Sequence, residues 1–192
     1  MNLDINTPRG REAAQDQSDA IDIVFGSNLL TDFIPTNDRG PARVDGIITH
    51  KGSIYGVAEI KSRRDMNLVM LMEQRSGEWL LTYDKLIDIC SASRLFGAMG
   101  FGMLYLPADE AVIMVSLTNS VGDVLCKHRI ASTVTQATCN GGSAVRKNAF
   151  INVFNSRVWI RTYGNSPLDM RSALSLCHSS QPSKSTRSCC SL

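Results

Sequence analysis

Long apolar runs are missing from this chain of 192 residues. The longest stretches, such as Ala111 to Leu117, fall far short of the roughly 20 residues that a spanning helix needs, so no membrane partner is expected. The six cysteines, Cys90, Cys126, Cys139, Cys177, Cys189 and Cys190, contain no C-x-x-C pair. Cys177-His178 and Cys189-Cys190 match none of the usual zinc-ligand spacings, and no disulfide framework is indicated. The opening segment, Met1 to Pro8, is polar and lacks the apolar stretch of a secretory leader. An intracellular, cytoplasmic setting with reduced thiols is the expectation. Gly97-Ala98-Met99-Gly100-Phe101-Gly102 has the wrong glycine order for a dinucleotide loop, and it follows a helical pattern, not a strand. His50, His128 and His178 have no acid or nucleophile partner recognisable in sequence, so no hydrolase triad is read. No internal repeat is visible.

What is present fits one globular domain, with 43% hydrophobic and 20% charged residues. The net charge of +2 conceals a polarised chain. Residues 1–119 carry 11 Lys+Arg against 16 Asp+Glu, a net of −5, while residues 120–192 carry 9 against 2, a net of +7. A basic half suits a polyanionic partner, because lysines and arginines displace counterions from phosphates. A merely solvated basic surface is the plain alternative. Lys127, Arg129, Arg146, Lys147, Arg157 and Arg161 are candidates for a binding strip, with Asn140-Gly141-Gly142 between them as a tight turn.

Thr7-Pro8 reads as a helix start, and Ala14, Ser18, Ile21 and Phe25 recur at helical spacing up to Gly26-Ser27, with Asp16, Asp19 and Asp22 on other faces. A loop through Pro35 and Pro41 follows, then two apolar strands over 42–50 and 54–61. Asp65 to Met72 is a crossing segment and Trp79 to Tyr83 a short strand. Thr82 is placed to cap a helix whose stripe is Leu86, Ile89, Cys90, Ser93 and Phe96, stopped by Gly97 and Gly100. Strands are expected over 101–106, 111–117, 124–131 and 149–161. The order of helix, hairpin, helix and strand, followed by further strands, predicts a layered α/β domain over residues 1–164. From residue 165 the composition turns to Ser, Cys, Thr, Pro and Lys, with no acid after Asp169, and a disordered basic tail is expected.

The hairpin carries the chemistry. Lys51-Gly52-Ser53 reads as a three-residue loop, and a hairpin symmetric about Gly52 pairs Thr49 with Tyr55, Ile47 with Val57, and Asp45 with Glu59. The period of two puts Lys61 on the same side, while Val44, Ile48, Ile54, Ala58 and Ile60 fill the other. A two-residue loop would instead set Asp45 opposite Ala58 and turn it away from Glu59. Two facing acids repel unless a cation intervenes. Their hard oxygens favour Mg2+, or Mn2+, held by one or two carboxylates and a substrate phosphate. Asp45 and Glu59 are the candidate metal ligands, the Ile60 backbone carbonyl is a neutral third, and Lys61 is placed to act on the attacking water or the phosphoryl oxygens. The competing reading is a strand-end salt bridge between Lys61 and one acid. Arg43, Arg63 and Arg64 bracket the acids as candidates for gripping DNA, and Lys85 opens the next helix, where anions bind readily.

At these residues the chain resembles the PD-(D/E)XK nuclease superfamily over roughly residues 11–106, through Asp45 and the single Glu-x-Lys of the sequence, Glu59-Ile60-Lys61. The proline of the family's name is absent, since Val44 precedes Asp45. The resemblance implies a restriction-endonuclease-like core, a central mixed sheet flanked by helices. It also implies that Asp45 and Glu59 bind Mg2+ or Mn2+ and that Lys61 is the catalytic lysine. Some members add an acid from the first helix, for which Glu12 is the candidate. The expected activity is metal-dependent hydrolysis of DNA. A phage or mobile-element origin is plausible by resemblance only, and a homodimer would permit paired cuts. A non-catalytic nucleic-acid-binding or scaffold protein on the same fold, and a magnesium-dependent phosphohydrolase acting on small nucleotides, stand as alternatives.

Overall fold

The computed structural model describes residues 7–36, 42–134, 144–164 and 166–179. Its first element, helix α1 (Pro8–Phe25), is capped by the Thr7 hydroxyl, which accepts from the Gly10 amide at 3.0 Å. Its buried side is Asp16, Ala20, Ile23, Val24 and Phe25, whereas Ala14 and Ser18 are exposed. The helix is thus rotated from the expected stripe. The adjacent Ile23 and Val24 outweigh the small Ala14 and Ser18 in apolar area.

Strand β1 (Thr31–Pro35), expected as loop, pairs antiparallel with β2 (Gly46–His50). It is the outermost strand of its sheet, the place where a proline is tolerated because the strand's outer amides need no partner. Phe33 turns inward against Phe25, with ring centroids 5.7 Å apart, and lies so close to Gly46 that any side chain there would meet its ring.

The turn between β2 and β3 (Ser53–Ser62) differs from expectation in a way that matters. It has two central residues, Lys51 and Gly52, both with positive φ, and His50 pairs with Ser53. Thr49 therefore faces Ile54 and not Tyr55. Uninterrupted, this register would have set Asp45 opposite Ala58. A bulge at Tyr55, however, adds one unpaired residue, and pairing resumes as Ile48 with Gly56, Ile47 with Val57 and Gly46 with Ala58. The bulge restores the expected register at the acidic end. It also leaves Ile54 and Tyr55 about half exposed, so Ile54 does not fill the core. Val44 packs with Val57 on the face opposite Ile48, Ala58 and Ile60, because the chain bends at residues 43–45 and alternation fails there.

From β3 the chain crosses through α2 (Leu68–Gln74), β4 (Glu78–Thr82) and α3 (Tyr83–Phe96) to β5 (Met99–Leu106), which lies parallel to β3 with Glu59 beside Gly102 and Lys61 beside Leu104. Thr82 occupies the cap position of α3 without a side-chain hydrogen bond, and Gly97 in the left-handed region ends the helix. A short 3-10 turn, Pro107–Asp109, leads to β6 (Ala111–Thr118), antiparallel to β5. The strand expected over 124–131 is one isolated bridge at Val124 followed by β7 (His128–Val134). The one expected over 149–161 is two, β8 (Val145–Asn152) and β9 (Arg157–Ile160), which turn at 153–156 to join different sheets. Beyond residue 165, part of the expected tail forms β10 (Leu168–Asp169) and α4 (Met170–Ser179), anchored by the buried Met170 and Ala173. The rest, from residue 180, lies outside the described residues.

The result is an α/β architecture with a mixed seven-stranded sheet in the order β1-β2-β3-β5-β6-β9-β10. Helix α1 covers one face over Phe33, Ile48, Ala58, Ile60 and Met103. The other face is covered by α2, α3, α4 and a small sheet, β4-β8-β7, over Val57, Leu104, Ile113 and Leu117. β3 is buried on both faces, as its apolar composition predicts. Among the described residues, no helix is long and apolar enough to cross a membrane.

Gly46 links this packing to the acidic end of the hairpin. Gly46→Ala should destabilise the protein by about 1–3 kcal/mol through overpacking against Phe33, and Phe33→Leu in the same chain should recover part of that loss. Urea unfolding of the two variants checks this, and an unchanged midpoint for Gly46→Ala would contradict the packing described.

Candidate metal and phosphate site

Glu59 stands on the α3 face of β3 with no solvent exposure. Its neighbour on β5 is Gly102, and the Trp79 ring occupies the space where a Gly102 side chain would project. A carboxylate in such a place needs positive partners. Two lysines supply them. Lys61, one pleat farther along β3, brings Nζ to 2.7 Å from Oε1, and Lys85, from the first turn of α3, brings Nζ to 2.9 Å from Oε2. Each oxygen of the buried carboxylate is thus matched by one ammonium. Lys85 also donates to the Arg43 carbonyl at 3.1 Å, which ties the start of α3 to the bend before Asp45.

Asp45 follows that bend. Its amide donates to the Ala58 carbonyl at 2.9 Å, and its Oδ2 accepts from the Ile60 amide at 2.8 Å. β2 pairs with β3 only as far as Gly46 and Ala58, so the Asp45 carboxylate continues the ladder where the backbone of β2 leaves it. Amide and carbonyl of one strand residue point to the same edge, so the Ile60 carbonyl is directed to the Asp45 side. Burial raises the Glu59 pKa above its ordinary value; Lys61 opposes this shift and the charge of Asp45 adds to it. The two acids therefore sense each other.

The other sequence candidates divide. Glu12 is exposed on α1, which packs on the opposite face of the sheet, and its contact is Arg64 at 3.9 Å. It does not join the two acids. The acid that α1 buries is Asp16, one turn farther on, which accepts from Ser62 Oγ at 2.6 Å and from Arg64 through both oxygens at 2.9 and 2.7 Å. Arg64 is thereby committed to the fold. Arg63 reaches only the neighbouring Ser62 carbonyl, and Arg43 is 80% exposed, 4.0 Å from Asp88. Neither forms an ion pair with Asp45 or Glu59 among the described residues.

The basic strip is dispersed. Arg129 forms a two-pronged pair with Glu78 and lies over the Phe150 ring, and Arg161 engages Asp22, Asp19 and Glu110. Lys147 is different: its Nζ lies 4.1 Å from the centre of the Tyr83 ring, at the start of α3 and two residues from Lys85. This placement follows from the pairing of Thr82 with Asn148 between β4 and β8, a long-range register with no local signal in the sequence. His50 binds Thr31 at the turn end of the hairpin, away from the acids, as expected. A cavity of about 660 Å³ between α1, β1 and that turn is likewise remote from them. Asn140-Gly141-Gly142 and three of the cysteines lie outside the described residues; Cys90, Cys126 and Cys177 are free thiols.

Among the described residues, no group of three or more His, Cys, Asp or Glu could hold a metal. The donor set is two carboxylates and a carbonyl at one strand end. This suits a hard cation that keeps its water and shares a phosphate, and it does not suit a closed protein cage. Such an ion would share the Glu59 carboxylate with the two lysines that hold it, Lys61 at Oε1 and Lys85 at Oε2. A scan against protein-family models, a search of curated proteins and a search of solved structures each return no match to this chain.

The Asp16 pair gives a pH-dependent test of the α1 attachment. Burial opposes ionisation of Asp16, but hydrogen bonds from Arg64 and Ser62 hold its pKa below the ordinary 3.8. Asp16→Asn should cost about 1–2 kcal/mol at neutral pH, the low end for charged hydrogen bonds because Arg64 is half exposed. A depressed carboxylate stabilises the fold above its unfolded pKa, so the wild-type advantage should shrink as pH falls through and below 3.8. Urea unfolding of both proteins between neutral pH and about pH 3 checks this; a constant difference would contradict it.

Proposed function

We propose that this chain is a metal-dependent nuclease that hydrolyses DNA phosphodiester bonds on a restriction-endonuclease-like core. The observation that carries the reading is the fully buried Glu59, brought together with Asp45 and Lys61 at the open end of one hairpin. As a purely structural device the cluster is a poor one. A buried ion pair rarely exceeds an apolar replacement in stability, and the nearby charge of Asp45 makes Glu59 harder to ionise. An arrangement that is poor for stability and rich in hard oxygen ligands supports a site built for a cation.

Asp45 and Glu59, with the Ile60 carbonyl, would hold Mg2+ or Mn2+. Such an ion supplies Lewis-acid stabilisation of the phosphate and an acidified water. The chain's own residues do the rest. Lys61 orients the nucleophile and stabilises charge on the phosphoryl oxygens. Arg43 and Arg63, two residues from Asp45 and Lys61 in the chain, would hold neighbouring phosphates, and the Trp79 ring packs against Gly102, beside Glu59. The competing binder or scaffold reading draws on the same two lysines, since they already neutralise Glu59.

Incubation with linear, circular, single-stranded and branched DNA under Mg2+, Mn2+ and EDTA separates the two. Cleavage of at least one DNA with metal and none with EDTA is the expected result. Asp45→Ala, Glu59→Ala and Lys61→Ala should each lower the rate on the order of 100-fold or more while circular dichroism shows a folded chain. Full activity of Asp45→Ala or Glu59→Ala would overturn the metal site, and metal-independent, salt-sensitive binding without cleavage would favour the binder.

A further inference from the structure

Lys85 is in an unusual place for a lysine. It lies in the first turn of the 14-residue α3, the positive end of the helix, where an acid such as the adjacent Asp84 is favoured. Its ammonium is held there by Glu59 Oε2 and the Arg43 carbonyl, and its side chain is about one-quarter exposed. Counting Asp45, Glu59, Lys61 and Lys85, the cluster is electrically neutral. A divalent ion added to it leaves an excess of two positive charges beside the N-terminus of α3. Of the two lysines, Lys85 is the one that also faces the positive end of a helix, so the added charge acts on it together with the helix N-terminus.

Resting on the nuclease reading above, we propose that Lys85 couples the two ligands of the site: it competes with the metal for Glu59 and, once released, binds the substrate phosphate. The free protein then holds metal weakly. Nucleic acid tightens metal binding, because phosphate gives the displaced ammonium a partner and lowers the excess charge. By linkage, metal tightens nucleic-acid binding by the same factor. The geometry behind the coupling is that both oxygens of the fully buried Glu59 carry an ammonium, Lys61 on Oε1 at 2.7 Å and Lys85 on Oε2 at 2.9 Å, so a cation can reach this carboxylate only by displacing one of them.

Calorimetric titration of Mn2+ into the full chain, with and without a phosphorothioate DNA oligonucleotide that resists hydrolysis, tests the coupling. For the wild type the oligonucleotide should lower the Mn2+ dissociation constant by about tenfold or more. In Lys85→Met the free protein should bind Mn2+ about tenfold more tightly than wild type, and the gain from oligonucleotide should fall to about twofold or less. Lys85→Gln keeps a donor for the Arg43 carbonyl but no charge, and it should match Lys85→Met; thermal melts establish that both are folded. Mn2+ affinities equal to wild type in these variants, or an undiminished oligonucleotide effect, would overturn the coupling. If wild type cleaves DNA and binds Mn2+ while the variants show no change, the coupling alone fails. If wild type binds no Mn2+ under either condition and cleaves nothing, the nuclease reading fails with it.

Discussion

A carboxylate placed in the interior of a sheet constrains everything around it. Left alone, the ionised Glu59 would cost several kcal/mol, and the surrounding structure is arranged so that it is not alone. One lysine comes from its own strand, by the period of two. The other must come from the covering layer, which fixes where α3 starts. Because β4 runs straight into α3 at Thr82, the pairing of β4 with β8 sets the height of that start, and the small sheet thereby positions a residue of the large one. The Lys85 bond to the Arg43 carbonyl then extends the same constraint to the bend that delivers Asp45.

The charge asymmetry of the sequence has a more specific meaning in three dimensions than in one. Arg129 and Arg161, from the basic half, are consumed by acids of the first half, Glu78, Asp22, Asp19 and Glu110. These pairs hold β7 to β4 and the residue that follows β9 to α1 and to the turn before β6. The polarity of the chain is therefore partly a matter of assembly between its halves, and only the remainder faces outward. Lys147 belongs to that remainder, and β8 carries it over the Tyr83 ring at the start of α3.

Much of the main sheet was legible because it is written in local signals. Thr7-Pro8 and Gly97 mark helix ends, and the two-faced apolar β3 announces a covered strand. The failures share a different origin. β1 contains Asp32 and Pro35 and reads as loop; only its position at the sheet margin makes it a strand. The split of 149–161 into β8 and β9 depends on which sheet each half finds, and α4 is stabilised by apolar contacts of Met170 and Ala173 that its Ser-rich composition hides. In the site, Asp45, Glu59 and Lys61 could be grouped because their relation is one of strand parity. Asp16 could not be separated from Glu12 by helical spacing alone, since Ser62 and Arg64, 46 and 48 residues away, decide which acid is buried.

The single unpaired residue at Tyr55 has a consequence for how the hairpin tolerates change. Between Ile48 and Gly46 the ladder is fixed by the apolar contacts of Ile48, Val57 and Ala58 on the two faces of the sheet. Between His50 and Ser53 it is fixed by the geometry of the turn. Tyr55 absorbs the mismatch between these two settings, so the tip can gain or lose a residue without transmitting a register slip to the base. The hairpin behaves as two independent rulers joined by a slack link, and the acidic end reads only the one nearer the core.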